Sequence, residues 1–300
     1  MNYLGVDIGG TRIKWMLLDE NAKILQKEEI ATYSDDGESD WKARILEIIE
    51  TQKTTMGGTQ KEKLKVGISA PGLTDAANRK ILHMPERLKG IENFDWSKAI
   101  DLDVSVINDG HSACLAEYHA KYQKKGIQNF LLLTLGTGVG GGVIINGELY
   151  QGNLNRAGHF GHITVDHDGV PTMTNMVGSL EYAIGNFSVR QRTHQKFEST
   201  KALVAAYQNG AVLAAHWWLD SVRKLAVGMG SLINAFSPEL IVLGGGIAHG
   251  AKEALLGPLK EFMALYEWRP DSSKTKIEIA KYGQYAGAMG AALFAKSREK

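Results

Sequence analysis

The run Val6-Asp7-Ile8-Gly9-Gly10-Thr11-Arg12-Ile13-Lys14 constrains the fold more than any other stretch of this chain. One apolar run, Tyr3 to Ile8, enters it and a second, Ile13 to Leu18, leaves it. Two adjacent glycines between strand-like runs predict a tight hairpin turn. Without Cβ atoms, Gly9 and Gly10 let backbone N–H groups come close to a ligand. Such a turn forms a concave anion site, and Thr11, Arg12 and Lys14 add donors beside it. Asp7, just before the glycines, is placed to hold a hydrated Mg²⁺ against bound phosphates. An ordinary hairpin with a salt-bridged acid accounts for the same residues, so the rest of the chain has to decide.

A second strand–glycine turn–strand unit answers the first. Phe130 to Leu135 reads as a buried strand running into a glycine turn over 136–142, and Val143 to Asn146 resumes as a strand before a hairpin turn at Asn146-Gly147. Gly136-Thr137-Gly138-Val139-Gly140-Gly141 formally satisfies GxGxxG, but it leads into another strand rather than a helix, so a dinucleotide fold does not follow. A phosphate cradle or a merely tight turn remain the two readings. No GxxxxGK[ST] occurs, which removes the P-loop enzymes. Leu240 to Leu243 is a further strand, ending at Gly244-Gly245-Gly246, with a helix expected over 250–266. Those glycines suit either close approach to a flat nucleoside or tight helix–sheet packing.

Between these units lie strands at 12–19, 23–32 and 64–70, a helix starting at Trp41 with Asp40 as its N-cap, and a polar loop around Gly57-Gly58. Val104 to Ile107 is a short strand that stops at Asn108-Asp109, and a helical pattern runs from Ser112 to Gln123. From Ala211 to Phe236 one apolar stripe persists, and Ala286 to Lys296 is a helix of small residues. The repeated pattern predicts duplicated α/β domains with a cleft between them.

Composition narrows the chemistry by exclusion. With 34 basic and 33 acidic residues, no global field favours nucleic acid or an anionic membrane. A single cysteine, Cys114, excludes an intrachain disulfide and any zinc site built from several thiolates. The N-terminus lacks signal-peptide features and no apolar run is long enough for a bilayer, so a cytoplasmic protein is expected.

Asp109 has two readings: an N-cap, a common role for Asp before Gly, or a general base taking a proton from a substrate hydroxyl. Two phosphate turns in the same chain favour the second, since phosphoryl transfer needs mainly positioning, Mg²⁺ and an orienting carboxylate. His159-Phe160-Gly161-His162 and Asp166-His167-Asp168 invite a metal, but imidazoles hydrogen-bonding a polar ligand fit better. Glu181 is either a first-turn acid or a ligand acceptor.

Taken in order, Asp7-x-Gly9-Gly10-Thr11-x-x-Lys14, Ala70-Pro71-Gly72, Asn108-Asp109, Leu135-Gly136-Thr137-Gly138-x-Gly140-Gly141-Gly142, Ala157-Gly158-x-x-Gly161-His162, Gly178-x-x-Glu181 and Gly244-Gly245-Gly246 resemble the ROK family across nearly the whole chain. That family groups bacterial sugar kinases, related repressors and uncharacterised frames. The resemblance implies an α/β, two-domain actin/hexokinase-like (ASKHA) fold with an interdomain cleft. It places a small domain at 1–110 plus 286–300, closed by the last helix, and a larger one at 111–285. It implies that Gly9, Gly10, Thr11, Gly136, Thr137 and Gly138 hold the ATP phosphates and that Gly244, Gly245 and Gly246 lie near the nucleoside. Asp109 becomes the base on a hexose hydroxyl, with Asn108, His162 and Glu181 on the sugar's other hydroxyls. Homodimers or homotetramers are expected from the same source.

Two departures stand out. His159 occupies the place of a family Glu that accepts hydrogen bonds from the sugar; a neutral imidazole still accepts at one nitrogen but lacks the fixed charge. Thr172, Thr174 and Ser179 stand where many members carry zinc-binding cysteines, so no structural zinc is expected, and packing around Met173, Met176 and Val177 is expected to replace it. The first phosphate motif begins at Gly5, with no room ahead of it in this sequence for the repressors' DNA-binding module, so transcriptional repression is not expected. The resulting expectation is an ATP- and Mg²⁺-dependent, glucokinase-like hexose kinase acting on a 6-hydroxyl. A sugar- or nucleotide-binding sensor of the same fold without turnover, and a kinase using another donor such as polyphosphate, are the alternatives.

Overall fold

The computed structural model describes residues 1–33, 41–55, 64–84, 88–172 and 174–299. The expected cap Asp40, the loop around Gly57-Gly58 and Met173 lie outside the described residues. The chain divides into two compact units. The first comprises Met1–Tyr122, Gln151–Ala157 and Tyr282–Lys300, the second Gln123–Tyr150 and Gly158–Lys281.

In chain order the first unit holds β1 (Asn2–Ile8), β2 (Arg12–Leu18), β3 (Ile24–Ala31), α1 (Trp41–Thr55), β4 (Leu64–Ala70), β5 (Leu73–Thr74), β6 (Ile81–His83), α2 (Trp96–Ile100), β7 (Val104–Asn108) and α3 (Asp109–Glu117). The second holds β8 (Phe130–Leu135), β9 (Val139–Ile145), β10 (Glu148–Leu149), α4 (Leu180–Ile184), α5 (Val189–Arg192), α6 (Thr200–Gln208), α7 (Val212–Phe236), β11 (Leu240–Gly244), α8 (Gly245–Ala251), α9 (Glu253–Tyr266) and β12 (Lys276–Ile279). The chain then returns to the first unit with α10 (Ala286–Ser297).

Each unit is built on a five-stranded sheet, ordered β3-β2-β1-β4-β7 in one and β10-β9-β8-β11-β12 in the other. In both, the first three strands in sequence pair antiparallel and the last two add in parallel. This is the duplicated, two-domain actin/hexokinase-like α/β architecture.

Side-chain alternation decides what covers each sheet, because neighbouring residues in a strand face opposite sides. On one face of the first sheet, Leu4, Val6, Val66 and Ile68 join Trp41, Ile45 and Trp96 in a core. On the other, Gly5 and Gly67 let α10 lie flat on β1 and β4. A Cβ at either glycine would fall 1.9 Å from a helix carbonyl, of Ala288 or Ala291. α10 also meets α3 at a glycine: a Cβ on Gly290 would lie 1.8 Å from Ser112 O, and Ser112 Oγ donates to Gly287 O at 2.6 Å. Those contacts bring 111–122 into the first unit, where the sequence boundary at 110 had assigned them to the larger domain. In the second unit the stripe of α7, including Trp218, Val222, Leu225 and Met229, packs with Leu131, Leu133 and Val143.

Three local expectations are revised. β9 begins at Val139, so Gly140 to Gly142 pair with Thr134, Leu133 and Leu132 inside the strand and the turn is Gly136-Thr137-Gly138 alone. Gly141 is required there because a Cβ would meet Phe160 at 2.4 Å. The helix expected over 250–266 is two helices, α8 and α9, separated at Lys252, whose φ of 46° breaks the helical path. α3 starts at Asp109 rather than Ser112, with Asn108 as its cap.

Candidate active site

In the first unit the candidate residues gather at the C-terminal ends of β1, β4 and β7. Asp7 pairs in register with Lys14 on one side and Ser69 on the other, which puts all three side chains on the sheet face that α10 covers. Ser69 Oγ donates to Asp7 Oδ1 at 2.7 Å. Gly287, in the first turn of α10, lies against the carboxylate; a Cβ there would sit 2.2 Å from Asp7 Cγ. Burial pushes the Asp7 carboxyl up to about 6, and the charge of Asp109 adds to the shift, while the Ser69 hydrogen bond and Lys14 oppose it. The acid therefore stands in a setting that disfavours its own negative charge.

The turn after Asp7 is braced from within. Gly9 N donates to Arg12 O at 3.0 Å, Thr32 Oγ1 donates to Gly9 O at 2.8 Å and Thr32 N to Thr11 O at 3.0 Å. A Cβ at Gly9 would meet Arg12 O at 2.7 Å, whereas no atom of the described residues lies within 4 Å of one at Gly10. Gly10 is thus the open side of the turn. Thr11 is exposed beside it, and Arg12 pairs with Glu29 at 3.2 Å.

The Asn108-Asp109 pair resolves in an unexpected way. The N-cap is Asn108: its Oδ1 accepts from Gly110 N at 2.9 Å and His111 N at 3.3 Å, and its Nδ2 donates to Gly72 O at 2.9 Å. With both oxygen lone pairs engaged, one amide N–H is its remaining capacity for a ligand. Because Asn108 supplies the cap, Asp109 is the first residue of α3 instead; it is exposed, and Gly110 N donates to its Oδ1 at 2.8 Å. A helix N-terminus stabilises the carboxylate there.

In the second unit the short turn Gly136-Thr137-Gly138 is held by its carbonyls. Asn186 N donates to Gly136 O at 2.9 Å and Phe187 N to Thr137 O at 3.0 Å. In a trans peptide the N–H points opposite to the C=O. Anchoring these two oxygens therefore aims the N–H groups of Thr137 and Gly138 away from the 186–187 segment. No atom of the described residues lies within 4 Å of a Cβ placed on Gly136. The other side of the turn carries Glu181: a Cβ on Gly138 would lie 2.8 Å from its Oε2. His162 Nδ1 is 3.7 Å from Glu181 Oε1, and the His159 and His162 rings stack with centroids 6.2 Å apart. Gly244 pairs in register with Thr134, and Gly245, at φ 85°, packs on Leu135 O, so the third glycine run abuts the second. Gly246, with no atom within 4 Å of a Cβ, is its open member.

Thr172 and Thr174 hydroxyls lie 2.9 Å apart, and Ser179 caps α4. Met176 and Val177 are exposed and do not form the packing expected to hold this loop. Backbone pairs between Thr164 and Ser179 and between Pro171 and Val177 close it, and Lys224 of α7 ties Asp166 to Asp220 at 3.0 Å each. No group of three or more His, Cys, Asp or Glu able to hold a metal occurs among the described residues. Nor does any described helix have the length and apolarity to cross a membrane.

Sequence reading missed Ser69 and Gly287. Ser69 sits just before Ala70-Pro71-Gly72 and its period-two relation to Gly67 was the available signal; Gly287 looked like one more small packing residue.

Residues 3–298 match the ROK family. A glucokinase of Halalkalibacterium halodurans is 31% identical over 99% of this chain and 96% of its own length. An N-acetylmannosamine kinase of Salmonella typhi is 26% identical over 99% of each. Among solved structures, a ROK family glucokinase from Streptomyces griseus in complex with glucose and AMPPNP superposes with a TM-score of 0.75 at 25% identity, covering 99% of this chain and 100% of the other.

Proposed function

Since the chain belongs to the ROK family, we propose that it is an ATP-dependent sugar kinase that moves the γ-phosphate to a hexose hydroxyl, with Asp109 as the general base. The observation that carries this reading is the displacement of the capping role onto Asn108. It leaves Asp109 exposed at the head of α3, with Gly110 N donating to its carboxylate.

The residues fit the other reactants. Triphosphate oxygens suit the backbone N–H groups of Thr137 and Gly138 and the open turn at Gly10, with Thr11 and Lys14 as further donors. Gly244 to Gly246 suit the nucleoside. Glu181, His162 and His159 suit a ring of hydroxyls, the carboxylate accepting and each imidazole accepting or donating. A Mg²⁺ fits as well: Asp7 is a carboxylate whose charge the protein leaves under-compensated, and Mg²⁺ is commonly held by one carboxylate together with waters and substrate phosphates. When bound, the ion neutralises charge on the transferring phosphate. Asp109 accepts the hydroxyl proton as the oxygen attacks phosphorus, and Asn108 holds α3 so that this carboxylate keeps its aim.

Glucose heads the candidate substrates on the glucokinase relative, and N-acetylmannosamine stands beside it on the kinase of that sugar. Coupled ADP release over glucose, mannose, fructose, N-acetylglucosamine and N-acetylmannosamine tests the proposal, with polyphosphate replacing ATP in a second series. Turnover with at least one sugar, abolished in Asp109→Asn, is expected. Sugar and nucleotide binding without any ADP release would instead favour a sensor.

A further inference from the structure

A guanidinium placed behind the second glycine turn has no role in the reaction just described. Arg192, at the end of α5, sends Nη1 to Ser221 Oγ of α7 at 2.7 Å and Nε to Ser188 Oγ at 3.3 Å, while its Nη2 is buried with no hydrogen-bond partner among the described residues. Burial lowers its pKa to about 10, which leaves it charged at neutral pH. Keeping an arginine largely out of water costs free energy unless its donors are used in fixed directions.

Those directions lead to both ligand sites of the second unit. Ser188 Oγ lies 2.6 Å from Tyr182 O and 3.0 Å from Gly185 O, so it holds the end of α4 and the bend that follows. One end of this bracket carries Glu181, the candidate sugar acceptor. The other supplies Asn186 N and Phe187 N, which anchor the carbonyls of Gly136 and Thr137. Gly185 packs against Thr137 O so closely that a Cβ would lie 2.8 Å away. Glu181 Oε2 in turn rests on Gly138. A shift of Glu181 toward a sugar is therefore transmitted to the phosphate-facing amides through a short rigid segment, provided that the segment moves as one piece.

We propose that Arg192 is a positioning residue that makes this bracket one piece and so couples sugar binding to nucleotide binding. The inference rests on the kinase reading of the site. It predicts that sugar raises affinity for the nucleotide, and by reciprocity nucleotide for sugar, by a factor in the ordinary range of about 5- to 150-fold. Losing Arg192 removes that factor while both sites remain.

The test is calorimetric titration of AMPPNP into the full-length protein with and without saturating sugar, glucose or N-acetylmannosamine according to which supports turnover. In Arg192→Met the ratio of the two affinities should fall below about 3-fold, with Arg192→Lys recovering part of it. A loss of charge acting directly on phosphate would weaken AMPPNP equally in both titrations and leave the ratio intact, as would a merely structural role. Folded Arg192→Met with the wild-type ratio overturns the proposal. Should that variant not fold, Ser221→Ala decides, since it removes the Nη1 acceptor and otherwise only a hydroxyl bond to Trp217 O within α7: a reduced ratio supports the coupling and an unchanged one overturns it. If neither AMPPNP nor either sugar binds the wild-type protein, the kinase reading itself fails. Binding of both with no coupling defeats only the present inference.

Discussion

The two sheets share strand order and pairing, yet they differ in where they put charge. In the first, the residue one step before the last β1–β2 pair is Asp7; at the equivalent step of β8 stands Thr134. The parallel neighbour across from it is Ser69 in one sheet and Gly244 in the other. The final parallel strand ends at Asn108, followed by Asp109, in the first unit and at Ile279, followed by Ala280, in the second. One unit thus carries two acids at these positions, and the other carries threonine, glycine and alanine. The same topology serves two tasks: carboxylates can orient a cation and take a proton, and glycine backbone can receive anionic oxygens. The lesson is that duplicated folds diverge first at strand ends, where a side chain can change without disturbing the sheet.

If that division of labour is right, removing an acid and removing backbone access should fail in different ways. Asp109→Asn keeps shape and hydrogen bonds but cannot accept a proton, so kcat should fall by about 10²- to 10⁴-fold. Sugar affinity, measured directly by calorimetry, should stay within about threefold. A kcat within a factor of two of wild type would remove Asp109 from the chemistry.

The second acid behaves oppositely, because its charge is a burden to the ligand-free fold. The Asp7 carboxyl, ordinarily at 3.8 and raised to about 6, holds its proton more tightly in the folded than in the unfolded chain. Its contribution to stability is therefore complete below pH 3.8 and is lost as pH rises through 6. Asp7→Asn should raise the ligand-free unfolding free energy at pH 7.5 by up to ~3 kcal/mol while lowering activity. Denaturant titrations at pH 4 and 7.5 check the sign, since the gain should vanish at the lower pH.

Backbone access is tested at glycines of contrasting surroundings. Gly136→Ala and Gly10→Ala meet no atom of the described residues within 4 Å, so stability should hold while KM for ATP rises about tenfold, or ~1.4 kcal/mol. Gly245→Ala, at φ 85° with Leu135 O 2.3 Å from the new Cβ, should instead lose about 1–3 kcal/mol of stability. Equal unfolding midpoints for all three would contradict this assignment of roles. The smallest change expected is for His159→Glu, which should reorder a panel of hexoses and leave KM for ATP nearly constant. An unaltered order would place residue 159 away from the sugar.

How far the sequence revealed this arrangement depends on the strength of each local signal. β1, β2, β3, β4 and α7 were legible because apolar periodicity and bounding turns agree over several residues. The Asn146-Gly147 turn was legible too, and both residues adopt the positive φ that such a hairpin needs. Gly140 to Gly142 misled because glycine carries little strand propensity, and the need for glycine at 141 comes from Phe160 and Leu132 O, which a Cβ would strike. β12 is a four-residue, half-exposed strand, Lys276-Ile277-Glu278-Ile279, that exists because β11 offers it a parallel edge. At the candidate site the glycine turns and Asp109 stood out as motifs. Ser69, Gly287 and Arg192 did not, since their importance comes from partners distant in sequence. The identity of the cap was likewise hidden, because Asn108 and Asp109 are both good caps and backbone geometry alone chooses between them.

The seating of α10 on Gly5 and Gly67 has a consequence for biosynthesis. β1 and β4 cannot bury that face until residues 286–297 have left the ribosome, whereas the second unit, made in between, contains a core of its own. The unit whose strands come first is accordingly the later to finish folding, and its half-built sheet, with Asp7 uncovered, is the form that a nascent chain must carry until α10 emerges.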